Sequence, residues 1–181
     1  MIIAATRFNN QTFFENKRWR ESHNWTGCIY GSPIKICKKV LPNARVVVIE
    51  MNNSKPEKIM GIGIILNCSR IDIKAKIYSD DYYNRYIYRS IYRKDCKQIS
   101  QTNVIEYLEE ILFRGKTHFK RARGITILPF EKKNGYFILP KKLTRRLIIQ
   151  DLENKIPCAR IIKKYSRIRI QLTRLLSKIA S

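Results

Sequence analysis

A glycine-containing basic segment, residues 113–124, holds the side chains best suited to bind an anionic partner. Gly115 and Gly124 stand near its ends, and the ring of Phe119 lies within it. Glycine allows tight backbone turns, so we expect a loop that presents its cations to phosphate groups. The contacts to nucleic acid that we predict in this loop, numbered 114–124, are Lys116, His118, Lys120, Arg121 and Arg123.

The net charge of the chain favours the same class of partner. Its 181 residues include 37 Lys and Arg against 14 Asp and Glu, a net charge of +23. Residues 114–181 hold 19 basic and three acidic side chains, whereas residues 1–113 hold 18 and 11. An excess of this size attracts polyanions, with an affinity that falls steeply with salt because bound phosphates release counterions. Charge alone therefore predicts the class of partner, nucleic acid or an acidic protein, but it does not indicate any reaction.

The most aromatic stretch, residues 82–93, interleaves tyrosine with arginine. As a strand it carries Tyr82, Tyr86, Tyr88 and Tyr92 on one face and Arg85, Ile87, Arg89, Ile91 and Arg93 on the other. A helix with an arginine stripe also fits the spacing, but the tyrosines favour a strand. Rings stack on bases and guanidinium groups contact phosphates, so the predicted contacts here are Arg85, Tyr86, Tyr88 and Arg89. Tyrosines packed in a core explain the pattern equally well.

Two smaller features admit both a structural and a binding role. Trp19, His23 and Trp25 lie in a polar segment, residues 9–27, where the indoles cover the end of a sheet or stack on bases. We favour covering. Gly61 and Gly63 leave one face of a strand without side chains, so that another group can approach closely. They lack the third glycine and the following helix of a dinucleotide fingerprint, and we favour tight packing.

No constellation of residues predicts catalysis. Gly115-Lys116-Thr117 resembles the end of a phosphate-binding loop, but Glu110 stands where that motif needs glycine and the helix lies on the wrong side. No base or nucleophile is evident beside His118. Asp80, Asp81 and Glu50 are carboxylates that could hold Mg²⁺, although their spacing does not demand it. We predict no enzyme, no cofactor and no metal.

The cysteines and the N-terminal residues indicate in which kind of cellular compartment the protein is expected. The five cysteines are scattered and form no C-x-x-C pair, which argues against a disulfide framework or a structural zinc site. The first nine residues become polar too soon for a signal peptide, and no apolar run reaches membrane-spanning length. We expect a protein with no transmembrane segment that is not secreted and stays in a reducing compartment.

The remaining patterns predict an α+β fold with a small, mostly antiparallel sheet or barrel. Runs 44–51 and 58–66 form a hairpin of buried strands, strands flank the Gly-Ser-Pro turn at 31–33, and residues 71–78 alternate as a half-exposed strand. Residues 103–113 form a helix capped by Asn103 or Thr102. Short strands cover residues 125–128 and 135–139. Residues 1–139 are the predicted core domain.

Residues 140–181 are the predicted basic helical C-terminal arm. Pro140 opens a helix at about 141–154, and residues 161–179 show an apolar face opposite a basic one. Such a helix packs on the domain, lies across phosphates, rests on a membrane surface or binds a partner. We favour packing with phosphate contact, and the predicted contacts are Lys163, Lys164 and Arg167.

A series of short motifs resembles a family of uncharacterised proteins of large double-stranded DNA viruses. The motifs are Cys28-Ile29-Tyr30-Gly31-Ser32-Pro33, Ile49-Glu50-Met51-Asn52-Asn53, Gly61-Ile62-Gly63, Tyr83-Asn84-Arg85-Tyr86-Ile87-Tyr88 and Gly115-Lys116-Thr117-His118-Phe119-Lys120-Arg121. The resemblance implies a viral origin and supplies no activity. The order of elements also resembles PUA-like barrels of the ASCH and EVE type, which implies reading of RNA or modified bases. Asn43 departs from the glycine common there, so no base pocket is transferred.

The sequence thus predicts non-enzymatic binding of RNA or DNA. Its alternatives are a virion structural protein, a minor capsid or core component that binds acidic capsid partners or the packaged genome, and an enzyme that processes RNA or DNA. The expected location is the host cytoplasm or the virion.

Overall fold

The computed structural model describes residues 2–70, 75–100, 102–113, 122–129, 131–133 and 136–138, together with positions 167, 170, 171, 173 and 174. The helices are α1 (Asn10–Ser22) and α2 (Thr102–Phe113). The strands are β1 (Ile2–Phe8), β2 (Cys28–Ser32), β3 (Arg45–Asn52), β4 (Lys58–Leu66), β5 (Tyr86–Ser90), β6 (Arg93–Asp95), β7 (Thr126–Ile127), β8 (Glu131–Lys133) and β9 (Tyr136–Ile138). Short 3₁₀ helices cover Asp81–Asn84 and Cys96–Gln98.

The main sheet has five strands in the order β6-β4-β3-β1-β7. β1 and β3 run parallel, with Ala4 opposite Val48, and every other neighbouring pair is antiparallel. β2 and β5 form a separate antiparallel pair in which Tyr30 faces Tyr88, and β8 pairs with β9. Among the described strands the main sheet is not closed, because β6 and β7 form its edges.

The main sheet separates two hydrophobic clusters. One face packs against α2, whose buried side chains include Leu108 and Leu112. The other face packs against β2, β5 and residues 75–78, with Phe13 and Trp19 of α1 at its margin. The protein is therefore a layered α+β structure in which β2 and β5 lie between the main sheet and α1.

The structure confirms the α+β class, the mostly antiparallel sheet and several elements. The predicted hairpin is β3 and β4, the predicted helix at 103–113 is α2, and β7 and β9 lie within the predicted strands. α2 forms because apolar residues recur at helical spacing, and its Glu109 accepts a hydrogen bond of 2.8 Å from the Ile59 amide of β4. The division at residues 139 and 140 stays a prediction.

Three predicted strands are wrong in extent. β2 ends at Ser32 and no strand follows the Gly-Ser-Pro turn before β3. Residues 75–78 are not a strand, because the amides of Ile77 and Tyr78 both donate to Asn84 Oδ1 at 3.0 Å. Residues 82–93 are not continuous either: Asp80 caps the 3₁₀ helix that contains Tyr82, and the chain then forms β5 and β6. The strand prediction for residues 71–74 lies outside the described residues.

The C-terminal positions that the structure describes are helical. Residues 167, 170, 171, 173 and 174 lie in a helix, and Asn103 Nδ2 donates a hydrogen bond to Gln171 Oε1. The rest of the predicted arm lies outside the described residues. None of the described helices is long and apolar enough to cross a membrane.

Candidate nucleic-acid interface

Helix α1 positions one side of the candidate interface. Its N-terminus is fixed by a capping box: Asn9 Oδ1 accepts from the Thr12 amide at 2.8 Å, and Thr12 Oγ1 accepts from the Asn9 amide at 3.0 Å. Asn16 anchors the middle of the helix, because its buried Nδ2 donates to the Ile29 carbonyl of β2 at 2.6 Å. The outer face of α1 is therefore held in a defined place beside β2, β5 and residues 75–79.

An open groove runs along this outer face, and we call it the aromatic groove. Its volume is about 690 Å³, and its lining residues are Glu15, Arg18, Trp19, Ser22, His23, Ala75, Lys76, Ile77, Tyr78, Ser79 and Arg89. Three of these are basic and one is acidic. The groove thus combines flat rings with an excess of cations.

Rings and a guanidinium group stack in and beside the groove: Trp19, His23 and Arg89 line it, and Trp25 contacts Arg89. The Trp19 and His23 rings lie 4.0 Å apart between centroids with an interplanar angle of 13°. The Arg89 guanidinium carbon lies 3.6 Å from the Trp25 ring centroid and 5.9 Å from that of Trp19. Cation–π contacts of this kind contribute about 0.5–2 kcal/mol each. The array is thus preformed, with Trp19, Trp25 and Arg89 half-buried and His23 exposed.

A second concavity, the Arg7 cleft, lies at the carboxyl end of β1. Its volume is about 370 Å³, and its lining residues are Thr6, Arg7, Phe8, Asn9, Thr12, Gly31, Asn53, Tyr78, Tyr83, Ala122, Arg123 and Gly124. Arg7 Nη1 donates to Thr126 Oγ1 at 3.1 Å and to the Ala5 carbonyl at 3.3 Å. Burial lowers the pKa of Arg7 to about 10, so it stays charged at neutral pH. The cleft therefore presents two cations, Arg7 and Arg123.

The groove and the cleft adjoin. Tyr78 lines both, Thr12 of α1 lines the cleft, and Ser22 lines the far part of the groove. Ten residues of helix separate Thr12 from Ser22, a length of about 15 Å. Cationic and aromatic groups thus follow α1 from its first turn to its last.

The structure distributes the predicted contacts of the tyrosine–arginine stretch over different surroundings. Arg89 lies in the aromatic groove. Tyr86 is half-buried, with the Lys35 ammonium 5.5 Å and the Arg85 guanidinium carbon 5.8 Å from its ring centroid. Tyr88 is buried, and its hydroxyl accepts from the Ile36 amide at 3.0 Å. Its ring therefore has no exposed face for a base, which matches the core-packing interpretation, and we leave Tyr88 out of the interface.

The predicted contacts outside this stretch are only partly described. Arg123 is exposed at the Arg7 cleft, where residues 122–124, the end of the basic loop, form part of the wall. Arg167 is exposed on the C-terminal helical positions. The predicted contacts that lie outside the described residues are Lys116, His118, Lys120, Arg121, Lys163 and Lys164.

The carboxylates considered for magnesium have other roles. Glu50 is buried and bound to Arg93, Asp80 Oδ1 accepts from the Tyr82 amide at 2.9 Å, and Asp81 lies 3.9 Å from the Lys76 ammonium. Within the described residues, His, Cys, Asp and Glu side chains form no group of three that could hold a metal ion. Among the cysteines there, Cys28, Cys37, Cys68 and Cys96 are free thiols.

The glycines of β4 make room for a buried polar network. Tyr30 Oη donates to Glu50 Oε1 at 2.9 Å, and Arg93 donates to both oxygens of Glu50 at 2.9 and 2.7 Å. A Cβ atom at Gly63 would lie 2.2 Å from Tyr30 Oη, and one at Gly61 would lie 2.7 Å from Glu50 Oε2. The close approach predicted at these glycines is confirmed, and the approaching groups belong to the protein itself.

Several residues of the interface were missed by the sequence analysis. Arg7, Asn53 and Tyr83 of the cleft, and Arg18 and Lys76 of the groove, come from separate elements and share no motif. The one signal that could have pointed to the groove is the spacing of Trp19 and His23, because residues four apart share a helix face.

Comparisons with family models, with curated proteins and with solved structures found no match to this chain. The viral and PUA-like resemblances therefore stay predictions. The structure itself establishes the fold class, a layered α+β protein, and the geometry of the groove and the cleft.

Proposed function

We propose that the protein binds single-stranded nucleic acid, RNA or DNA, without catalysing a reaction. The observation that carries the proposal is the array of His23, Trp19 and Arg89 in the aromatic groove, with Trp25 in contact with Arg89. Ring faces stack on any base, contributing about 1–3 kcal/mol per base. An open groove suits unstacked bases, which a duplex does not offer.

Charge supports the same proposal. Arg18, Lys76 and Arg89 line the groove, and Arg7 and Arg123 line the adjoining cleft. Arg18 and Lys76 are exposed, so they are free of the desolvation that a buried cation suffers. A nucleic-acid strand that follows α1 would pass the two cations of the cleft and then the three cations and the rings of the groove. Residues 122–124, the end of the basic loop, line the cleft.

The test compares two neighbouring cations of α1. Arg18 lines the groove, whereas Lys17 does not and pairs with Glu21 at 3.6 Å on the exposed surface. Binding of a fluorescently labelled single-stranded 12-mer is followed by anisotropy over a range of salt concentrations, for wild type, Arg18→Gln and Lys17→Gln. Each phosphate contact on a single strand contributes a slope of about 0.7 in log affinity against log salt.

We expect Arg18→Gln to reduce the slope by about 0.7 and the affinity at 0.1 M salt by roughly fivefold, and Lys17→Gln to change neither appreciably. Equal slopes for the two variants would remove the groove from the contact surface. Lack of binding by the wild type even at about 20 mM salt would refute nucleic-acid binding altogether.

A further inference from the structure

Glu15 places a carboxylate in a groove whose other charged side chains are cations. Among the described residues that line the aromatic groove it carries the one carboxylate, beside Arg18, Lys76 and Arg89. A general phosphate-binding surface gains nothing from a negative charge at this position, because the charge repels the backbone that the three cations attract. The carboxylate therefore calls for an explanation of its own.

The two oxygens of Glu15 differ in their surroundings. Oε1 accepts from Gln11 Nε2 at 3.2 Å in an exposed hydrogen bond. Oε2 is buried and accepts no hydrogen bond from the described residues. A buried acceptor without a donor costs about 1–3 kcal/mol, and more when it is charged. A ligand that supplies an N–H group here recovers that cost.

The position of Glu15 on α1 fixes where such a donor would lie. Glu15, Trp19 and His23 follow one another at intervals of four residues, so the three side chains share one face of the helix. Their Cβ atoms are about 5–6 Å apart from one turn to the next. A base stacked beside Trp19 therefore lies within one helical turn of the carboxylate.

We propose, on the basis of the proposed function, that Glu15 makes the groove selective for bases with an exocyclic amino group, which are cytosine, adenine and guanine. Their amino groups present N–H donors to Glu15 Oε2, as carboxylates accept from the cytosine amino group in DNA recognition. Uracil and thymine carry carbonyl oxygens on both sides of their single ring N–H. Those oxygens repel the carboxylate, so the groove discriminates against them.

The other oxygen of Glu15, Oε1, is held by one exposed side chain, that of Gln11. Gln11 Nε2 also donates to Ser79 Oγ at 3.3 Å, and this bond and the bond to Glu15 are both exposed. Exposed hydrogen bonds at such lengths are weak, because water replaces them readily. Because these contacts are weak, the carboxylate of Glu15 can turn and bring Oε2 to an amino group that lies in the groove.

The experiment measures a ratio of affinities. Labelled oligocytidylate and oligouridylate 12-mers are titrated with the full chain by anisotropy, as wild type, Glu15→Gln and Glu21→Gln. Glu21 is the matched control, because it lies on the same helix, loses the same charge and is exposed beside Lys17. The wild type and Glu21→Gln should favour cytidine by roughly tenfold, the value of one base-edge contact, and Glu15→Gln should bind the two about equally.

Each outcome decides one question. Equal binding of the two oligonucleotides by the wild type, or a cytidine preference that survives Glu15→Gln, overturns the selectivity and leaves nucleic-acid binding in place. Absence of binding to either oligonucleotide refutes the proposed function instead. Circular dichroism confirms that each variant is folded, and Glu15→Ala, which removes the carboxylate together with its hydrogen-bonding capacity, should give the same ratio near one.

Discussion

The buried pair of Glu50 and Arg93 is the most consequential polar contact of the core. Arg93 Nη2 lies 2.7 Å from Glu50 Oε2, and the two side chains are 6% and 3% exposed. Burial, the largest single effect, lowers the pKa of Arg93, but the charge and the hydrogen bonds of Glu50, together with Tyr30 and Asp95, outweigh it and the pKa is raised overall. Replacing Glu50 by Gln leaves a guanidinium cation in the core beside a neutral amide.

The expected cost follows from the geometry. Removing one partner of a buried ion pair costs about 3–5 kcal/mol, because the remaining charge is buried and uncompensated. The hydroxyl of Tyr30, 2.9 Å from Glu50 Oε1, can still donate to the amide oxygen of Gln, and Asp95 Oδ2 lies 3.4 Å from Arg93 Nη1. Both contacts place the expected loss at the lower end, about 3 kcal/mol.

The assay is urea denaturation followed by tryptophan fluorescence, with Asp95→Asn as the control. Asp95 pairs with the same arginine, but its side chain is 41% exposed, so its loss should cost less than about 1 kcal/mol. The double variant Glu50→Gln, Arg93→Met should regain part of the stability, because no buried charge remains. Equal costs for Glu50→Gln and Asp95→Asn would refute the reasoning.

Two further predictions concern the same core. Gly63→Ala should destabilise the protein by about 1–3 kcal/mol through overpacking, since the new methyl would lie 2.2 Å from Tyr30 Oη, and it should cost less in a Tyr30→Phe background, which lacks that hydroxyl; urea denaturation measures both, and an unchanged midpoint for Gly63→Ala contradicts the packing. Burial raises the pKa of Cys28 to about 12. Between about pH 9 and 11 the unfolded state therefore loses the thiol proton and the folded state keeps it, so the free energy of unfolding should fall with pH by up to about 1.4 kcal/mol per unit from this group. Cys28→Ala should make that part of the stability curve shallower, and an identical slope would exclude the contribution.

Elements with strong apolar periodicity could be predicted from the sequence, whereas α1 could not. The strands β3 and β4 are runs of β-branched and apolar residues, and α2 repeats apolar residues at helical spacing. The inward positions of α1 include Asn16 and Arg20, which bond to each other at 3.1 Å. Polar side chains at these positions remove the hydrophobic pattern by which a helix is recognised.

The candidate site was partly predictable for a similar reason. Alternation along β5 correctly separates Tyr88 from Arg89, because successive side chains of a strand point to opposite faces. Which of the two faces meets the core depends on the pairing of β5 with β2, and that pairing is not local in sequence. Tyr88 therefore lies inside and Arg89 in the groove, a choice that the tyrosine–arginine pattern leaves open.

If the proposed function and the proposed role of Glu15 hold, affinity and selectivity in the aromatic groove have separate physical origins and can be measured separately. The affinity would depend on Arg18, Lys76 and Arg89, whose contribution is screened by salt. The selectivity would depend on a hydrogen bond to a buried oxygen of Glu15, which salt screens much less. The two oligonucleotides carry the same number of phosphates. Raising the salt should therefore weaken the binding of both in parallel and leave their affinity ratio nearly constant. A ratio that falls toward one as salt rises would show that the preference is electrostatic and does not come from Glu15.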